Sequence, residues 1–83
     1  MKLEITFCLP CGHLPRVNQL VEQIFDTFKP IVGQPCIIEQ VVIIPGSEGV
    51  FDVKLDGELI FSKKAIGRHA EEGEIIKLIK ERM

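Results

Sequence analysis

The sequence predicts an α/β (α+β) fold, a mixed four-stranded sheet with two helices on one face, in the order strand, helix, strand, strand, strand, helix. Three observations carry this. Residues 2–7 alternate in polarity, two segments at 14–28 and 71–82 carry apolar residues at helical spacing, and three β-rich runs lie between them. The last two runs are joined by Asp56-Gly57, the pair favoured in a two-residue type I′ hairpin because both positions need positive φ.

Leu3, Ile5 and Phe7 alternate with Lys2, Glu4 and Thr6, the period of a half-buried strand, and this strand ends at Cys8. From Leu14 the apolar residues fall at Leu14, Val17, Val21, Ile24 and Phe28, widened by Leu20 and Phe25, which is an amphipathic helix. Pro15 suits the first turn, where its missing N–H is no loss, and Pro30 lies just past the end. The β-branched run 36–44 predicts a second strand, apolar on both faces at its far end, closed by punctuation at 45–49. Residues 50–55 place Phe51, Val53 and Leu55 on one side, and 58–62 returns from the turn as the fourth strand. Residues 63–70 lack periodicity and read as loop. The closing helix carries Ile75, Ile76 and Ile79 on one stripe, with Glu71, Glu72 and Glu74 early and Lys77, Lys80 and Arg82 late, an order that complements the helix dipole.

The first strand, helix and second strand form a right-handed crossover with parallel strands, and the hairpin adds two antiparallel strands. With the third strand beside the first, the loops at 8–14, 45–49 and 62–70 meet at one edge. Two helices leave one sheet face uncovered. Among Ile37, Ile38, Val41, Val42, Ile43 and Ile44 some side chains must face it, so a partner or a second copy of the chain, in a homo-oligomer, is expected there.

At 83 residues the chain is expected to be a single domain, 1–83, large enough for one core without metals or staples. Twelve acidic against ten basic residues give a net charge of −2, which supplies no field for polyanions and argues against nucleic acid. The N-terminus lacks the basic flank, apolar run and cleavage site of a signal peptide, and the longest nearly apolar stretch, 36–44, falls far short of a membrane span. Three cysteines cannot all pair within one chain. A cytoplasmic location is the expectation, and in a reducing compartment Cys8-Leu9-Pro10-Cys11 reads as chemistry rather than stapling.

That motif lies between a strand end and a helix start, where unpaired N–H groups and the helix dipole favour a thiolate. The thiolate is the attacking species in disulfide exchange, and the two-residue spacing lets the second sulfur displace the first from a mixed disulfide. Cys8 and Cys11 are therefore the candidate catalytic residues. A rival is a zinc site completed by His13 and Cys36, disfavoured because no second CxxC exists; Cys36 by itself reads as a small buried hydrophobe. No cofactor or metal is called for, although glutathione or another thiol reductant is a candidate co-substrate. Lys63, Lys64, Arg68 and His69 are groups suited to stabilising a thiolate or docking an anionic partner such as glutathione, but the plainer reading is a solvated loop whose charge Glu48, Glu71 and Glu72 offset. His13, two residues past Cys11, reads as an exposed helix-start residue more readily than a proton carrier.

Phe7-Cys8-Leu9-Pro10-Cys11, the run from Pro45 through Gly49 to Val53, and the run from Asp56-Gly57 to Lys63-Lys64 resemble the selenoprotein W-like, or Rdx, family, within the wider group of selenoproteins T, W and H. The stretch from Gly67-Arg68-His69-Ala70 to Ile75 is similar to bacterial members, many of which carry an aromatic-proline pair where His69-Ala70 stands here. The resemblance implies a thioredoxin-like fold and a thiol redox role in cell redox homeostasis. It places the selenium residue of selenocysteine-containing members at Cys11, whereas ordinary thioredoxin geometry makes Cys8 the nucleophile. The N–H groups of a first helical turn favour Cys8, and a helix beginning only at Leu14 favours Cys11. Thioredoxins carry a cis-proline directly before the hairpin's first strand, and Gly49 stands at that point. The expected function is thiol–disulfide oxidoreductase acting on a protein or small-molecule disulfide or thiol. The alternative is a redox-switched binding module without turnover.

Overall fold

A computed structural model of the chain describes residues 1–71 and 73–82. Its elements are β1 (Lys2–Cys8), α1 (Leu14–Thr27), β2 (Gln40–Gly46), β3 (Phe51–Leu55), β4 (Glu58–Ser62), α2 (Lys63–Ile66) and α3 (Glu74–Lys80). The sheet order is β2-β1-β3-β4. β1 runs parallel to β2 from Lys2↔Gln40 to Cys8↔Gly46, and antiparallel to β3 from Leu3↔Leu55 to Phe7↔Phe51. The crossover and the placement of the third strand beside the first are as the sequence predicts.

The alternation in β1 turns Leu3, Ile5 and Phe7 to the helix side, where Phe51, Val53 and Leu55 of β3 join them. α1 lays Val17, Leu20 and Ile24 onto this face, with Phe28 just beyond its end, and α3 closes the core with Ile75 and Ile79. Phe25, placed on the apolar stripe by periodicity, is exposed. A register shift at Val53/Lys54 sits opposite Ile60 and Phe61, consecutive residues that are both buried. The turn forms at Asp56 (φ 51°) and Gly57 (φ 84°). Asp56 also ties the hairpin to β1: its Oδ1 accepts from the Lys2 N–H at 2.8 Å and its own N–H donates to the Lys2 carbonyl at 2.8 Å.

Four boundaries differ from the sequence reading. β2 begins at Gln40, not at residue 36, because the chain first folds around the N-terminus. The Met1 amino group donates to the Ile37 carbonyl at 2.6 Å and the Glu39 N–H to the Met1 carbonyl at 2.9 Å, while Ile38 plugs the core. At its other end β2 absorbs Pro45 and Gly46, residues read as punctuation. A proline is tolerated there since β2 is an edge strand. Residues 63–66 form a helical turn rather than loop, capped by Ser62 Oγ, which accepts from the Ala65 N–H at 3.4 Å, and ended by Gly67 at φ 85°. α3 starts at Glu74, preceded by Gly73 at φ 78°. The expected start at residue 71 includes Glu72, which lies outside the described residues.

The uncovered face is less apolar than expected. Glu4 and Thr6 of β1 and Asp52 and Lys54 of β3 occupy its centre, and Lys2 Nζ reaches Glu4 Oε1 at 3.6 Å. Exposed apolar side chains of β2 are confined to the edge, with Ile43 42% and Ile44 37% exposed on opposite faces.

Candidate functional site

β1 ends by burying Cys8 almost completely, then turns out of the sheet. The Leu9 N–H donates to the Gly46 carbonyl at 3.2 Å and the Gly12 N–H to the Leu9 carbonyl at 3.1 Å, so residues 9–12 close a tight turn that Gly12 permits at φ 77°. This brings Cys11 back onto Cys8. The two form a disulfide with Cα atoms 5.4 Å apart.

Cys8 is 1% exposed, whereas Cys11 is an exposed residue. α1 begins only at Leu14, with Pro15 in its first turn and no side-chain cap from His13. The positive end of the helix is thus nearer in sequence to Cys11. Both observations weigh against the argument that favours Cys8 from an earlier helix start.

His13 is half-buried, contrary to the exposed helix-start residue expected. Its ring meets that of His69 edge-on at 4.7 Å, and His69 in turn meets Phe51 at 5.9 Å. A ring is therefore what the structure uses at position 69. The Nδ1 atoms of both histidines are buried without a hydrogen-bond partner among the described residues. Burial lowers the pKa of each below 6.5. Lys63 and Arg16 add to the effect at His13; Arg16, Lys63 and His13 itself add to it at His69.

The four groups singled out at 63–69 separate in role. Arg68 is engaged in structure: its guanidinium pairs with both carboxylate oxygens of Glu74, at 2.7 and 2.9 Å, and donates to the His69 carbonyl at 2.9 Å. Glu74 also accepts from the Glu71 N–H at 3.0 Å, and these bonds hold its pKa at about 2. Glu74, which the sequence reading did not name, is the main residue that offsets Arg68, with Glu71 adding to it as expected; Glu72 lies outside the described residues. Lys63 reaches the second loop, with its Nζ 3.7 Å from where a Cβ on Gly49 would stand. Lys64 is exposed and makes no ion pair among the described residues.

Cys36 is a free, half-buried thiol before β2, its Sγ 3.7 Å from the Phe28 carbonyl. It lies at the far end of α1, about 20 Å along that helix from the Cys8–Cys11 turn. A zinc site joining Cys36 to the CxxC pair is thereby ruled out geometrically. Arg16 and Phe51, which border the histidine pair, escaped the sequence reading; Arg16 carries no signal apart from its place on α1, and Phe51 reads simply as core.

A family model described as the Rdx family matches residues 2–81. No curated protein matches the chain. Among solved structures, a Bordetella parapertussis protein superposes with a TM-score of 0.85 at 20% identity, covering 99% of this chain and 96% of that one. A selenoprotein W-related protein from Vibrio cholerae superposes with a TM-score of 0.83 at 24% identity, covering 96% and 92%. The fold is thus thioredoxin-like as expected, a mixed four-stranded sheet, with α2 as a third helix.

Proposed function

The chain belongs to the Rdx family, and on that premise we propose that it is a thiol–disulfide oxidoreductase acting in cytoplasmic redox homeostasis, with Cys11 as the attacking sulfur and Cys8 as the resolving one. The observation that carries this reading is the Cys8–Cys11 disulfide, one cysteine buried and one exposed, at the mouth of α1. The family and its paired cysteines support a thiol redox role in general; the assignment of roles within the pair rests on exposure. A reduced Cys11 thiolate attacks a disulfide sulfur of the substrate and a mixed disulfide forms as the substrate's second thiolate leaves. Cys8 then attacks the Cys11 sulfur, giving up its proton, so that the Cys8–Cys11 bond re-forms and the substrate departs reduced. Electrons run the opposite way when the oxidised protein meets a dithiol, and a thiol reductant such as glutathione would restore the reduced pair.

Alkylation after reduction tests the roles. Cys8→Ser, which retains Cys11, is expected to react with iodoacetamide roughly tenfold or more faster than Cys11→Ser, which retains the buried sulfur. Turnover of a disulfide by the unmodified protein with a reductant is the second requirement. A protein that changes only its affinity for a partner when oxidised would show none.

A further inference from the structure

A cavity of about 160 Å³ opens where α1, β3, Ala70, Glu71, Gly73 and the start of α3 meet. Leu20, Phe51, Ile75 and Ile76 supply its apolar lining, while Arg16, Gln19, Gln23 and Glu71 make much of the rest of its wall polar. An apolar cavity of ~150 Å³ accepts a benzene-sized group, and sites for whole small molecules begin near ~300 Å³. The fit is to one side chain of leucine to phenylalanine size. Gln19 and Gln23, one turn apart on α1, stand at its border. Carboxamides donate and accept, as the backbone flanking an inserted side chain requires.

We propose that this cavity anchors an apolar side chain of a polypeptide disulfide substrate whose cysteine is attacked by Cys11, with an acidic residue of that polypeptide lying between them against Arg16 and Lys63. The proposal rests on the oxidoreductase reading above and deepens it by naming the substrate class.

Two observations fix the arrangement. Phe51, in the cavity lining, meets His69, which meets His13, two residues past Cys11; these ring-to-ring steps of 5.9 and 4.7 Å, with the further step from His13 back to Cys11, correspond to about four residues of extended chain at ~3.3 Å each, a spacing that puts both ends on one face. Two cations lie along this path. Arg16 borders the cavity, and Arg16 and Lys63 are the cations that bear on both histidines. Neither makes an ion pair among the described residues, whereas Arg68 is held by Glu74 and Arg82 by Glu58. Glu71, the carboxylate of the lining among the described residues, lies just before α3 rather than on α1. A carboxylate on the substrate therefore meets the α1 side favourably.

The test uses the reduced full chain, freed of reductant, and peptides of sequence Cys-Ala-Asp-Ala-Leu, in which Cys, Asp and Leu share one face of an extended chain, with the cysteine joined to 5-thio-2-nitrobenzoate. Attack on the peptide sulfur forms the mixed disulfide and releases coloured thionitrobenzoate with the bonding electron pair; Cys8 then displaces the peptide as its thiol. The leucine peptide is expected to react about tenfold faster than its alanine counterpart, and the aspartate peptide several-fold faster than its lysine counterpart. The leucine-to-alanine ratio falls toward one in Ile76→Asp. A serine analogue of the leucine peptide, which cannot react, should shift the NMR signals of Leu20, Gln23 and Ile76 in the unmodified protein. Equal rates for the leucine and alanine peptides in a protein that reacts readily with 5,5′-dithiobis(2-nitrobenzoate) would overturn the proposal and leave the exchange reading standing. Failure with that small disulfide as well overturns the exchange reading, and the NMR titration then still decides whether the cavity takes the side chain.

Discussion

Two residue pairs, His13–His69 and Arg68–Glu74, make stability depend on pH in separate windows. His13 and His69 both have folded pKa values below 6.5, so the unfolded chain takes up protons first as pH falls, and stability is lost from about pH 6.5 downward. Replacing His69 by Phe keeps a ring against His13 and Phe51 without a charge to acquire. Thermal melts of His69→Phe between pH 7 and 5 are expected to show a shallower loss than the unmodified protein. Glu74 acts lower on the scale. Its pKa of about 2, against an ordinary 4.5, contributes stability that is complete above about 4.5 and disappears as pH falls toward 2. In Arg68→Leu most of that depression goes with the lost guanidinium, so the melting temperature should fall most above about pH 4.5 and converge on that of the unmodified protein toward pH 2, leaving a flatter acid limb. A variant whose acid melt matches the unmodified protein would show that the Arg68–Glu74 pair has no part in it.

At the scale of elements, the position of the redox turn depends on the end of β2. The Gly46 carbonyl accepts from Leu9, and a Cβ at Gly46 would lie 2.9 Å from Val50 Cγ1 and 3.3 Å from the Phe7 carbonyl oxygen. Its backbone is not in the left-handed region, so the requirement for glycine is one of space. Gly46→Ala is expected to cost about 1–3 kcal/mol in urea unfolding, the range for overpacking. It should also alter the reactivity of Cys11, because the turn hangs from the same carbonyl. A change smaller than ~0.5 kcal/mol would mean that Val50 moves aside freely. The short α2 depends on Ser62 in a simpler way. Ser62→Ala removes the one side-chain cap and should cost about 0.5–1 kcal/mol.

For the molecule as a whole, stability rests on one cluster shared by α1, α3 and the helix face of the sheet. Ile24, fully buried on α1, lies within it. Truncation to Ala is expected to cost about 2–5 kcal/mol. A chain this size has roughly 4–12 kcal/mol in total, so Ile24→Ala should lower the urea midpoint sharply. Ile66→Ala, at a half-exposed site on α2, should stay within about ±0.5 kcal/mol. Equal effects at the two positions would contradict the core described here.

The sequence by itself determined what is local. Alternation in β1 and β3, the periodicity of α1, and the positive-φ demand of Asp56-Gly57 are properties of near neighbours along the chain, and each forms where it is predicted. So does the meeting of three loops at one edge, since strand order follows from the right-handed crossover and the hairpin. The Cys8–Cys11 pair was legible for the same reason, its spacing being set within four residues. Only tertiary structure decided what depends on residues distant in sequence. Pairing with Phe7 and Cys8 draws Pro45 and Gly46 into β2, Met1 keeps residues 37–39 out of it, and His69 finds His13 across 56 positions of sequence. Burial did the rest: it hid Cys8 and left Cys11 in reach, a distinction that no spacing within the motif contains.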